Sequence, residues 1–370
     1  MRDDIFHAIP TVFDLLALAT CLGALGCRLW VLPAMSAASE SIGFDALLAS
    51  LWRLLAVCLV ALVVSSVGEL AGRAVEMSDR PLAAILPVLP TILLQTHYGR
   101  LWLVRPLSLT VLWIGWWAGR TRLRSWIIPA GMLGTGAMVA MTRSASGHAA
   151  DWGDLTLPAL NDWLHLLAAS LWGGGLLALS LAVLPTAIKL PELRRPLIAA
   201  IARRFSALAG VALAGVLLTG IYNAWLQVGT ISALWETPYG RTLLAKLFLV
   251  LPLLALGASN RYLSVPLLQR WAGLPMAKRR LPHALLIIRY LVTGRRKPPG
   301  AQLVRQFRRK VWAEAICIIG VFMCTALLLH GLPARHRSHR AHMHTEAGSP
   351  PAARDEAMPT PHAHVGAAPD

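Results

Sequence analysis

The chain alternates long apolar runs with short polar connections, and eight runs are long enough to cross a bilayer. A spanning helix needs about 20 mainly apolar residues. The runs predict helices over 11–33, 46–71, 101–119, 126–142, 158–185, 205–228, 241–268 and 311–332. A further run, 81–96, is short and carries Pro81, Pro87 and Pro90, so it predicts an interfacial or re-entrant segment. The stretch 282–293 is apolar apart from residues such as Arg289, which predicts an amphipathic helix on the membrane surface. From 333 onward no apolar period remains, and a composition rich in Pro, Ala, His and Arg predicts a disordered tail. The reading is an all-α polytopic membrane protein of about eight transmembrane helices in two similar four-helix units. The first unit is 1–157, the second is 158–332 with a basic cytoplasmic loop at 269–310, and 333–370 is a His-rich periplasmic tail.

Composition narrows the class. Of 370 residues, 56% are hydrophobic and 14% charged, which excludes a single soluble domain, where about a quarter are charged. The net charge of +17 would suit nucleic acid or a membrane face, so placement decides. Arg120, Arg122, Arg124, Lys189, Arg194, Arg195, Arg203 and Arg204 fall on one side of the predicted bundle. So do Lys278-Arg279-Arg280, Arg295-Arg296-Lys297 and Arg308-Arg309-Lys310 of the long loop, while the other side has mainly single cations. Basic loops face the cytoplasm. The expectation is therefore a multi-pass protein of a Gram-negative inner membrane with both termini periplasmic. The charge is topological and directed at the lipid bilayer, and no nucleic-acid partner is expected. The opening segment is slightly acidic and unlike a signal peptide, so the first helix reads as a retained anchor. The cysteines, Cys21, Cys27, Cys58, Cys317 and Cys324, form no CxxC pair.

On this topology, eleven of the twelve histidines lie toward the outward side, His283 being the exception. His97 and His148 sit in outward connections, His165 lies about two turns into the fifth helix, and His330 ends the last helix. His336, His339, His342 and His344 follow in the tail, while Met138 and Met141 end the fourth helix. Imidazole suits copper, zinc, nickel and iron, and thioether selects Cu(I). A tail of this kind could collect ions weakly at many sites, or could have no metal role. His165, one turn beyond Asp162, is either a ligand or a packed residue hydrogen-bonded to a neighbouring helix. Arg28, Arg53 and Arg261, and with them Arg105 and Lys246, read as snorkelling toward the helix ends.

A short repeat is also legible. Thr96-His97-Tyr98-Gly99-Arg100-Leu101-Trp102-Leu103-Val104-Arg105 matches Thr237-Pro238-Tyr239-Gly240-Arg241-Thr242-Leu243-Leu244-Ala245-Lys246 in the pattern T-x-Y-G-R-x-x-L-x-[RK]. Both copies open an outward-to-inward helix, so the halves read as parallel repeats. Transporters of this kind hold substrate at the repeat interface.

Asp162-Trp163-Leu164-His165 through Trp172-Gly173-Gly174-Gly175-Leu176 resembles the D-x-x-H…W-x-G-G-L segment of the copper resistance protein D family. Arg204-Phe205-Ser206, Thr219-Gly220-Ile221-Tyr222-Asn223-Ala224-Trp225 and the second repeat copy continue the pattern. The resemblance is strongest over 158–268, looser over the first four helices, and does not extend to the tail or the basic loop. It implies an inner-membrane protein for copper handling, with copper uptake across the cytoplasmic membrane as the activity and copper ions as the bound species. It also implies a separate periplasmic copper-binding partner of the CopC type. By position it points to His165 as the residue that touches metal, and to Trp172, Gly174 and Gly175 as packing residues.

Two other functions stay open at this point. His165 and His330 could hold haem in a redox protein. Alternatively the helices could merely anchor a periplasmic metal buffer. A pumping ATPase is excluded, because no Gly-Lys or Asp-Lys dipeptide exists for a nucleotide loop or a phosphorylation site. No enzyme is expected.

Overall fold

Helix α1 (Arg2–Gly26, running on through a π-helical turn at Cys27–Val31) lies at the heart of the bundle. The computed structural model describes residues 2–32, 42–78, 84–146, 156–190, 194–274 and 300–331, together with residues 81 and 153. The helices after α1 are α2 (Ile42–Ser78), the short α3 (Leu89–Gln95), α4 (His97–Arg120) and α5 (Ile127–Ser144). They continue with α6 (Leu157–Ile188), α7 (Arg194–Val228), the short α8 (Ala233–Glu236), α9 (Pro238–Trp271) and α10 (Gly300–His330). The described residues form an all-helical fold. The expected helix at 282–293 and the tail from 333 lie outside them.

Seven of these helices are long and apolar enough to cross a membrane: α1, α2, α4, α6, α7, α9 and α10. The eighth expected span forms as α5, an 18-residue helix in which Gly131, Gly134, Gly136 and Arg143 dilute the apolar character. The 81–96 run forms a helix of only 7 residues, too short to cross. Several helices outrun their apolar stretches: α7 takes in Arg194 and Arg195, and α10 begins at Gly300 and carries Arg305, Arg308, Arg309 and Lys310. Leucine, alanine, arginine and lysine are good helix formers, so nothing in those flanks stops the turn.

Burial explains why α1 is central. Leu15, Leu18, Leu22 and Leu25 are all fully buried, and α1 touches α2, α5, α6 and α10. Most of its surface is apolar and covered by these neighbours, with Ile9, Phe13 and Trp30 left exposed. The outer surface is apolar as well: Val57, Val64 and Val67 on α2, Leu218 and Ile221 on α7, and Phe248 on α9 are exposed. Such a belt has no place in water and faces lipid.

Small residues set the closest helix crossing. A side-chain carbon at Gly174 of α6 would land on the Ala19 carbonyl of α1, and one at Gly23 on the Gly174 backbone. Gly173 faces Ile318 and Phe322 of α10, and Gly175 faces Phe205 of α7. Three consecutive glycines thus seat α6 against three different helices, which is the packing role expected of small residues in membranes. Trp172, buried beside them, belongs to the same core.

The two repeat copies have the same local structure. Thr96 caps α4 by accepting from the Gly99 amide at 2.9 Å, and Thr237 caps α9 by accepting from the Gly240 amide at 3.0 Å. Each hydroxyl donates backward at 2.6 Å, to Ile92 of α3 and Ala233 of α8. Both threonines are extended, at φ −99° and −100°. The glycine is required in both, because a side chain at Gly99 or Gly240 would collide with those same carbonyls. Thr96→Ala and Thr237→Ala are each expected to cost about 1 kcal/mol, read as a lower thermal midpoint of the detergent-solubilised protein.

Candidate functional site

Among the described residues each half buries a polar cluster near the end where α4 and α9 begin, and three pairs of helices correspond in building them: α1 and α6, α2 and α7, α4 and α9. In the first half, Asp14 of α1 is fully buried and Arg105 of α4 is 4% exposed. Their carboxylate and guanidinium form an ion pair. Ser65 of α2 donates to Asp14 Oδ1 at 3.0 Å, and Arg105 Nε donates to Ser66 Oγ at 2.7 Å. Arg143 of α5 pairs with Glu69 and lies 3.7 Å from Asp14 Oδ2. Arg105 therefore does not snorkel. Its planar fork is spent on a buried carboxylate, which is the pairing a buried charge needs. Arg28 is likewise buried and donates to Leu123 O at 3.0 Å and Ser125 O at 3.1 Å.

The second half repeats the plan with different chemistry. Pro158-x-x-x-Asp162 on α6 echoes Pro10-x-x-x-Asp14 on α1. Thr219 and Asn223 on α7 stand four apart, as Ser65 and Glu69 do on α2. Lys246 is eight residues into α9, as Arg105 is into α4. Asn223 Nδ2 donates to Asp162 Oδ1 at 3.2 Å, and Ser144 Oγ of α5 donates to Asp162 Oδ2 at 2.9 Å. Asn161 Nδ2 donates to Asn223 Oδ1 at 2.7 Å and to Thr219 O at 3.0 Å. Lys246 is close enough to interact electrostatically with Asp162, His165 and Cys324.

His165 has no counterpart in the first half, where the matching position is Ala17. Its Nδ1 lies 2.9 Å from Thr219 Oγ1. That hydroxyl has one proton, and it is given to Gly215 O at 2.6 Å. The oxygen therefore accepts, Nδ1 carries the ring proton, and Nε2 carries the lone pair. A protonated Nδ1 fixed by a neighbour is how a ligating imidazole is oriented toward a metal.

The other sequence candidates disperse. Met138 is exposed, and Met141 is half-buried. His330 Nε2 lies 2.9 Å from Thr11 Oγ1, which donates to Glu69 Oε1 at 3.0 Å. His330 thus belongs to the first cluster. His97 opens α4, and His148, His336, His339, His342 and His344 lie outside the described residues. Among the described residues no set of three or more His, Cys, Asp or Glu side chains stands close enough to hold an ion. Of the candidates, Asp162 and His165 belong to one hydrogen-bonded network, joined through Asn223, Asn161 and Thr219, with Ser144 bonded to Asp162 and Lys246 nearby. The short repeat carried a signal for Lys246, which it sets against Arg105; Thr219 and Asn223 share the four-residue spacing of Ser65 and Glu69, and Ser144 had no such signal.

Two family models match the chain. One, copper resistance protein D-like, N-terminal domain, matches residues 4–157, and the other, copper resistance protein D, matches residues 199–328. The copper transport protein CutJ of Bacillus subtilis (strain 168) is 33% identical over 162 residues, which is 43% of this chain. The chain spans 29% of that relative's length.

Proposed function

Because the chain belongs to the copper resistance protein D family, we propose that it is a copper permease of the cytoplasmic membrane that carries the ion inward through the second polar cluster. The observation that carries this reading is the state of His165. An imidazole sits on a membrane-spanning helix with its Nδ1 held 2.9 Å from Thr219 Oγ1, one turn from Asp162. Copper is the cargo, His165 Nε2 its first donor, and the Asp162 carboxylate the charge that offsets the cation. Intramembrane ionisable groups of this kind mark ion pathways.

The basic end of the bundle, with Arg270, Arg305, Arg308 and Arg309, is read as cytoplasmic by the positive-inside rule, and both termini as periplasmic. Copper then arrives at the end where α4 and α9 begin, delivered by a separate periplasmic copper-binding chain. The His-rich tail and His148 act ahead of the pathway as weak collectors.

Purified protein in proteoliposomes tests the reading. Copper is expected to enter faster than zinc or nickel, since nitrogen and sulfur donors favour copper in the divalent order and as Cu(I). Equal entry of all three metals, or entry no faster than into empty liposomes, would count against it.

A further inference from the structure

At the basic end of the same helix pair lies a second buried polar station. Asn260 is fourteen residues beyond Lys246 on α9, and Glu314 ten residues before Cys324 on α10. At 1.5 Å per residue these are separations of about 21 Å and about 15 Å along the helices. Apolar side chains fill the interval. Leu253 is fully buried, and Leu249 packs on Gly320, where an added Cβ would stand 2.9 Å from Leu249 Cδ1.

Helix α9 is broken at this level by one π-helical turn, Asn260–Ser264. Such single turns often mark functional sites, because the extra residue re-aims its neighbours. Here it aims Asn260 Nδ2 at Glu314 Oε1, 2.6 Å away, while Ser264 Oγ donates to Asn260 Oδ1 at 2.9 Å. Lys310, one turn before Glu314, donates to Ser259 Oγ at 2.8 Å and to Ser264 Oγ at 3.3 Å. Glu314 itself is 4% exposed. Arg261 is turned to Ser206 on α7. The charged and titratable groups around Glu314 are thus Lys310 on its own helix and Arg261 and Tyr262 from α9. The facing residues of α6 and α7, such as Trp172, Phe205 and Ser206, are uncharged.

Glu314 and Asn260 form part of the wall of a cavity of about 460 Å³ between α6, α7, α9 and α10. Water takes about 30 Å³ a molecule, so the space can hold a hydrated path to the carboxyl. The donors at this station are carboxylate, amide, hydroxyl and amine. They lack the sulfur and imidazole that hold copper well.

We propose that Glu314 takes up and releases a proton at this cavity, and that the exchange is coupled to copper moving past Leu249 and Gly320. The inference rests on the permease reading. The chemistry is a single proton transfer between the Glu314 carboxyl and cavity water, and the charge of the pocket changes by one.

Proteoliposomes with a pH-indicating dye sealed inside, given copper(I) outside, report both movements at once. The wild type is expected to show copper entry with a change in luminal pH. In Glu314→Gln, copper entry down its gradient is expected to persist while the pH change falls at least tenfold. An undiminished pH change in that variant, or wild-type copper entry with no pH change, overturns the inference alone. A wild type that admits no copper overturns the permease reading and this inference with it. Should Glu314→Gln fail to assemble, Asn260→Ala removes the donor to Oε1. It is expected to shift the pH profile of coupled entry, and an unshifted profile overturns the inference.

Discussion

Cells producing His165→Ala are expected to accumulate no more copper than cells without the protein, at unchanged amounts of protein in the membrane. The alanine removes the one imidazole of the second cluster and leaves its surroundings intact. Asp162 keeps its bonds from Asn223 and Ser144, and Asn161 still ties α6 to α7. The fold should therefore survive, and the loss should appear in transport. Thr219→Val provides a graded companion. It removes the acceptor that holds the proton on Nδ1, so the ring stays but is no longer oriented. Losing an orienting partner of a metal ligand costs about 10–100-fold in affinity. Accumulation should accordingly need a correspondingly higher copper concentration in Thr219→Val. Normal accumulation in His165→Ala would remove this residue from the pathway.

Gly174→Val is expected to eliminate the folded protein. The obstacle is the Ala19 carbonyl, which belongs to a backbone and cannot rotate away. Overfilling a packed core costs about 1–3 kcal/mol where side chains can adjust, and here α1 and α6 would have to part. Since α1 is the most buried helix, its displacement reaches α2, α5 and α10 as well. The expected result is aggregated material on size exclusion and rapid digestion by added protease. Gly257→Ala is the control, with nothing within 4 Å of the added carbon. It should behave as wild type or be slightly more stable, since alanine is favoured over glycine in helices by about 0.5–1 kcal/mol. A well-behaved Gly174→Val would show that the two backbones do not meet as described.

Much of the fold was legible because lipid imposes a length and an apolar character on every span. That rule located α1, α2, α4, α6, α7, α9 and α10. It also kept 81–96 out, where three prolines interrupt a short run. The rule is blind to charges that satisfy one another inside the bundle. Arg105 looked like a cation reaching for the surface, and its partner Asp14 lies on a helix 91 residues away in sequence. His330 was grouped with the other imidazoles by its depth, whereas its bond to Thr11 depends on how α10 docks against α1. The cluster around His165 was half visible. Asp162 and His165 share a turn, but Ser144, Thr219 and Asn223 reach them only through tertiary packing. The hydroxyl that fixes the ring tautomer is a matter of 2.9 Å and 2.6 Å, which no spacing along a chain conveys.

The two clusters occupy matching places, yet the aspartate of the first is tied to Arg105 and Ser65, and the imidazole of that cluster, His330, is bonded to Thr11 and comes from α10. On the permease reading, two clusters of the second kind would give each polypeptide two parallel conduits. With an arginine occupying the first cluster, the permease reading leaves a single lane per chain, packed against the N-terminal half.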